Sequence, residues 1–148
     1  MRLPSRRAST KRTVKCGDVG AGQAAKICNN LILGINIVAV SESFALAETL
    51  GLSHQALFDV VSTSTGQCWA LTSYCPVPGL VPTSPANNDY KPGAPATMLF
   101  KDLLLAKQAA ENTSAKTPLG SRVTELFEEF IEAGHGGEDF SAIIRYLR

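Results

Sequence analysis

The sequence predicts an all-α fold: a helical domain that opens on one long helix and holds no β-α-β unit. Three observations carry that prediction. From Gln23 to Leu50 no proline interrupts the chain, and Ile27, Leu31, Ile35, Val38, Leu46 and Leu50 recur mostly at three- and four-residue steps, the spacing of one helix face. Later segments open on residues that cap helices, at Ser53, at Thr117 followed by Pro118, and at Asp139, each able to satisfy a free backbone N–H or pre-set the first turn. After residue 20 no strand-like alternation appears.

In chain order, Met1 to Lys15 carries six basic residues (Arg2, Arg6, Arg7, Lys11, Arg12, Lys15) and no acidic one. Residues 1–13 are therefore expected to form a solvated basic arm, and residues 14–148 the domain. An Arg- and Ser-rich, acid-poor start has the composition of a mitochondrial transit peptide, without its amphipathic apolar face. A disordered arm and a remnant of a longer gene product are the alternatives. Val14 to Val19 reads as a short strand or an extended lead-in. The helix from Gln23 to Leu50 would be roughly 42 Å long at 1.5 Å per residue, so its middle needs cover on several sides, a second subunit included. Gly51 supplies its stop.

Ser53 then caps a second helix with Leu57, Val60 and Val61 as apolar positions and Gly66 beyond its end, and a short helix follows around Trp69 to Tyr74. Cys75 to Pro95 holds six of the eight prolines and the pair Asn87-Asn88, which excludes regular structure and predicts a long ordered loop. Helical spacing returns from Thr97 to Ala110 through Leu99, Leu103, Leu104 and Ala106. The helix begun by Thr117-Pro118 presents Val123, Leu126, Phe127, Phe130 and Ile131 as its apolar stripe. Gly134, Gly136 and Gly137 end it, and Asp139 caps a last helix that buries Phe140, Ile143, Ile144 and Leu147.

A formal net charge of +1, with 45% hydrophobic and 18% charged residues, excludes a disordered chain and a broadly basic nucleic-acid binder. The longest apolar run, Leu31 to Val40, contains Gly34 and Asn36 and is far shorter than the roughly 20 residues that span a bilayer, so no membrane segment is expected. Cys16, Cys28, Cys68 and Cys75 form no C-x-x-C pair, and His54 and His135 are not spaced with them as zinc ligands. No metal site is expected, only unpaired and mostly buried thiols.

Gly20-Ala21-Gly22-Gln23-Ala24-Ala25 matches G-x-G-x-x-A, the turn that binds a dinucleotide pyrophosphate. A working fingerprint needs a second parallel strand after its helix and an acidic residue about 20 positions on. Glu42 has that spacing but falls inside the same long helix. A glycine hinge and helix N-terminus is the favoured reading, and such an N-terminus still offers N–H groups to a carboxylate.

The run G-A-G-Q-A-A-K-I-C-N-N at 20–30 resembles the start of the C-terminal domain of the β-hydroxyacid dehydrogenases, a glycine pair followed by K-x-x-N-N. G-Q-C-W at 66–69, Y-C-P-V-P-G at 74–79, A-N-N-D-Y at 86–90, F-K-D-L-L-L-A at 100–106 and D-F-S-A at 139–142 resemble 3-hydroxyisobutyrate dehydrogenase in particular. The resemblance covers residues 14 to 148. It implies the helical C-terminal domain typified by 6-phosphogluconate dehydrogenase, homodimers or tetramers, NAD as cofactor, a small-molecule substrate, and a mitochondrial location or otherwise a cytoplasmic one.

By that resemblance Lys26 is the catalytic lysine. Removing hydride from carbon must be coupled to loss of the hydroxyl proton, which a positioned amine can take or return, and burial or a nearby cation would tune that amine towards neutrality. Asn30 lies one turn on, on the same face, where its amide can fix the substrate, while Asn29 is angled off and would pair with backbone. Gly22 is the second expected substrate contact. Lys101 resembles the family lysine that reaches the cofactor near the nicotinamide, and Asp102 its structural neighbour. Without the resemblance Lys26 and Lys101 read as solvated helix lysines and Trp69 as core; with it, the loop bearing Trp69, Pro76, Pro78, Asn87 and Asn88 is expected to cover the substrate.

Two departures stand out. Ala94 occupies the place of the family's aromatic residue seven positions before Lys101, and the family's N-terminal Rossmann domain has no counterpart in these residues. The chain by itself is therefore expected to be inactive and to bind NAD weakly. The implied activity is oxidation of 3-hydroxyisobutyrate to methylmalonate semialdehyde in valine degradation once a Rossmann domain is supplied. A non-catalytic scaffold or dimerisation fragment, and a related dehydrogenase for tartronate or 6-phosphogluconate, are the alternatives.

Overall fold

The computed structural model describes residues 14–91 and 93–148; the expected basic arm at 1–13 lies outside them. The helices are α1 (Ala21–Thr49), α2 (His54–Val61), α3 (Trp69–Thr72), α4 (Ala96–Thr113) and α5 (Pro118–Phe130). Among the described residues there is no strand, only an isolated bridge between Pro95 and Asp139. The all-α expectation holds. Of the two readings of residues 14–19 the strand is not found: residues 14–16 are irregular and residues 17–19 form bends and a turn that lead into α1.

α1 runs through the middle of the molecule and packs against every other α-helix. Its start needs a left-handed residue, and Gly20 at φ 93° provides it. At its end the N–H of Gly51 (φ 75°) bonds Glu48 O and that of Leu52 bonds Ala47 O, the paired reversal that satisfies the last carbonyls when a glycine can turn left-handed. The buried stripe of α1 is Gly34, Ile37, Val38, Val40, Ser41, Phe44 and Ala47. That differs from the stripe read off the sequence: Leu46 and Leu50 are exposed, because all sides of this helix are apolar and spacing alone cannot say which side meets a neighbour. For the same reason α1 is long and apolar enough to cross a membrane by length and composition, its best window having a mean hydropathy of 1.6. Counting uninterrupted apolar residues missed this; 39% of that window is buried, on the side that packs against the other helices.

α4 and α5 cross α1 at small residues. A Cβ on Gly34 would lie 2.8 Å from Leu103 Cδ2, and one on Gly120 2.6 Å from Leu31 Cδ1. Val123, Leu126, Phe127 and Phe130 of α5 are buried as their spacing predicts. Leu104 of α4 and Val60 of α2 are exposed instead of buried. Ser53 caps α2 by accepting from Ala56 N at 3.2 Å, whereas Thr117 makes no side-chain cap on α5 and only Pro118 sets its first turn.

Beyond α5 the chain widens into a π turn at Ile131–His135, broken by Gly134 at φ 96°, and ends in a tight 3₁₀ helix, Phe140–Arg145. Phe140, Ile143 and Ile144 are buried there as expected, and Leu147 half-buried. The described residues of segment 75–95 form a loop with one 3₁₀ turn at Pro85–Asn88, and part of it is core. Cys75, Val77, Val81, Ala86 and Tyr90 are buried among the helices. Burial pushes the Cys75 thiol up to about 11. All four cysteines are free, yet Cys16 and Cys28 are exposed and Cys68 half-buried, which corrects the expectation of mostly buried thiols.

The two glycines of α1 should respond in opposite directions. Gly34→Val, forced against Leu103 and Val123, should cost roughly 1–3 kcal/mol as an overpacked crossing. Gly22→Ala meets nothing within 4 Å and should add about 0.5–1 kcal/mol by removing glycine's backbone entropy cost. Urea unfolding followed by circular dichroism reads both.

Candidate active site

The first turns of α1 and the middle of α4 meet at one carboxylate. Asp102, on α4, accepts the Asn30 side-chain N–H at 2.6 Å through Oδ2, and its Oδ1 lies 3.7 Å from Lys26 Nζ. Asn29 donates to Asn30 Oδ1 at 3.1 Å. The Asn30 amide is therefore oriented from both sides: its nitrogen can face only the acceptor, and its oxygen only the donor. Helical geometry makes this possible, because residues four apart project from one face, so Lys26 and Asn30 point towards α4 together.

Asp102 is the residue that the sequence undervalued. A Lys-Asp pair in a helix is common, and nothing in F-K-D-L says that the aspartate reaches across to α1; the contact joins residues 72 positions apart. Asn29 also differs from expectation, bonding Asn30 and not backbone. Lys26 is 59% exposed and its charged neighbour is an anion, so neither burial nor a nearby cation, the two tuning influences expected of its surroundings, is found here. Lys101 is exposed and makes no ion pair among the described residues. Gly22 is exposed with open space around its Cα. Lys26, Asn30 and Asp102 are thus brought together, while Lys101 and Gly22 stay at the surface near them in sequence.

One turn further along α1, Asn29, Ile32, Leu33 and Asn36 face Trp69 and Ala70 across a cleft of about 300 Å³. Trp69 is 52% exposed, not core. Its ring stacks on Tyr74 at 4.9 Å between centroids, and Tyr74 stacks in turn on Phe140 at 4.9 Å. The cleft has apolar walls and two amides, a fit for a small ligand with one apolar and one polar end. Of the loop residues expected over the substrate, Pro76 is buried in the core. Asn87 accepts from Gly79 N at 2.7 Å and donates to Val81 O at 2.7 Å, and Asn88 donates to Lys91 O, so both amides tie the loop to itself. Among the described residues no three His, Cys, Asp or Glu side chains converge as metal ligands.

Comparison with known proteins bears on this geometry. Residues 20–147 match the family model described as "NAD-binding of NADP-dependent 3-hydroxyisobutyrate dehydrogenase". A probable 3-hydroxyisobutyrate dehydrogenase of Mycobacterium tuberculosis is 53% identical over 93% of this chain and 46% of its own length. A relative from Drosophila melanogaster, named as mitochondrial, is 41% identical over 93% of the chain and 43% of its own length. The solved structure of the Mycobacterium tuberculosis enzyme with L-serine superposes with a TM-score of 0.87 at 53% identity, covering 91% of this chain and 46% of that one. The chain spans less than half the length of each of these relatives. With the family model matched over residues 20–147, the chain belongs to the 3-hydroxyisobutyrate dehydrogenase family.

Proposed function

We propose that residues 14–148 form the substrate and catalytic-lysine domain of an NAD-dependent 3-hydroxyisobutyrate dehydrogenase, working with a Rossmann half like the one that the family carries before this domain. The observation that carries the reading is the convergence of Lys26, Asn30 and Asp102 from α1 and α4. In the oxidation of a hydroxy acid the hydride would pass to NAD, which the Rossmann half and Lys101 would hold. Lys26 Nζ moves the hydroxyl proton, and Asn30, held by Asp102 and Asn29, orients the hydroxyl or carboxylate with its remaining N–H. Lys101, next to Asp102 on α4 and about 100° around the helix from it, reaches the cofactor, and Gly22 leaves room for the substrate at the start of α1. The exposure of Lys26 fits this arrangement, since the lysine would be covered, and its surroundings set, only when the nucleotide-binding half closes over it. Choice of NAD over NADP, valine degradation as the setting and a mitochondrial location belong to the proposal. Relatives named mitochondrial and relatives from mycobacteria both match.

Joining a family Rossmann domain ahead of Val19 gives a direct test. Lys26→Ala and Lys26→Arg should both lose most turnover, because arginine keeps the charge but cannot release its proton near neutral pH; the loss expected of a general acid–base group is about 10²- to 10⁴-fold. Near-native turnover in Lys26→Arg would make the lysine an electrostatic anchor only. Asn30→Ala should chiefly raise the KM for 3-hydroxyisobutyrate, and Lys101→Ala the KM for NAD.

The same domain is proposed to hold the enzyme's subunits together. Leu46, near the end of α1, and Leu50, just beyond it, are 59% and 73% exposed, an apolar surface that a second copy would cover. Sedimentation of the chain at micromolar concentration should give a dimer or larger; a monomer would remove this part of the proposal.

A further inference from the structure

A carboxylate that the proposed chemistry does not use lies at the centre of the fold. Asp139 is 1% exposed and has no cationic partner among the described residues. Its Oδ2 accepts from the Tyr74 hydroxyl at 2.6 Å and from Ala94 N at 2.7 Å. Its Oδ1 accepts from Ser141 N at 2.9 Å and from the Ser141 hydroxyl at 2.6 Å. An ionised carboxylate so deeply buried is costly unless hydrogen-bonded, and here four donors surround it. The backbone closes over it at Gly93, where a Cβ would fall 2.1 Å from Oδ2, so the cage requires glycine.

Two of the four donors come from the neighbouring Ser141, as the cap of the last helix needs in any case, and a third is the backbone N–H of Ala94, 45 residues away. The Tyr74 hydroxyl is different. It comes from 65 residues away and fixes the plane of a ring that sits between Phe140 and Trp69. Burial and the bond to Asp139 push that hydroxyl's ionisation above the ordinary tyrosine range, so it remains a donor at neutral pH. The free face of Trp69 lines the cleft shared with Asn29, whose amide bonds Asn30. Aromatic wall and polar floor thus meet one turn from Lys26.

We infer that Asp139 is a positioning residue of the active site: through the Tyr74 hydroxyl it holds Trp69 as the apolar wall against which a short hydroxy acid packs. Its assignment to that ligand class rests on the proposed function above; the anchoring of Trp69 does not. Stacking alone leaves an offset ring free to slide and turn in its plane, since several offset arrangements are close in energy. One directed bond at the rim selects one of them. The substrate's carbon chain then meets a fixed indole face while its carboxylate or hydroxyl meets the amides of Asn29 and Asn30.

Trp69 is the chain's sole tryptophan, so its fluorescence reports on the wall directly. Acrylamide quenching would be measured on the native chain, Asp139→Asn and Tyr74→Phe, with Leu126→Ala on α5 as a control that lowers stability away from the cleft. Tyr74→Phe is the deciding variant, because it keeps the ring stack and the fold even where Asp139→Asn unfolds. A higher quenching constant in Tyr74→Phe, with the Leu126→Ala value unchanged, supports the anchoring; native-like quenching in Tyr74→Phe, or an equal rise in Leu126→Ala, overturns it. A second arm titrates 3-hydroxyisobutyrate against Trp69 emission. Binding by the native chain that weakens about fivefold in Tyr74→Phe, the factor set by one hydrogen bond of ordinary strength, supports the wall as a substrate surface, and equal affinity overturns it. No response from the native chain removes the substrate reading while leaving the anchoring to the quenching result.

Discussion

The close crossing of α1 and α4 at Gly34 governs the rest of the structure. With no Cβ there, Leu103 packs directly onto the α1 backbone, and the next residue back along α4, Asp102, comes within hydrogen-bonding distance of Asn30. A bulkier residue would lift α4 off α1. The aspartate would then lose Asn30 first, because a 2.6 Å bond has little slack, and Lys26 with it. Packing and chemistry are therefore one problem in this domain: the same turn of α1 supplies the polar cluster on one side and the glycine contact just beyond it.

The ordering of the site is also layered. Asp102 spans two helices and orients the polar groups. Asp139 gathers the start of α4, the loop before it and the C-terminal 3₁₀ helix, reaching the cleft only through an aromatic ring. Neither carboxylate needs a buried cation. Each is satisfied mainly by N–H or O–H donors, an arrangement that avoids the desolvation cost of a buried ion pair and holds geometry through directed bonds.

Much of this was legible in the sequence, and the exceptions have physical causes. Helix positions followed from spacing, proline and glycine, and the Gly51 stop and the Ser53 cap were read correctly because local backbone chemistry decides them. The buried face of α1 was misread, since a helix apolar on all sides offers no contrast for spacing to detect. Lys26 and Asn30 were singled out through a resemblance to a family motif, and helical geometry put them on one face. Asp102 as their shared partner, the exposure of Trp69 and the Asp139 cage depend on contacts between residues far apart in the chain. No local pattern encodes those. A carboxylate after a lysine looks solvated until the fold shows what lies opposite.

The loop from Cys75 to Pro95 has a further consequence. Its prolines restrict the unfolded chain, which lowers the entropy lost on ordering it, and its buried residues belong to the same core cluster as those of the helices. Connecting segments usually absorb insertions and attract proteases because they lie on the surface. The buried positions of this loop depart from that rule. In this domain the irregular stretch should drift as slowly in evolution as the helices around it, and changes in chain length should collect at the turns after α2 and α4 instead.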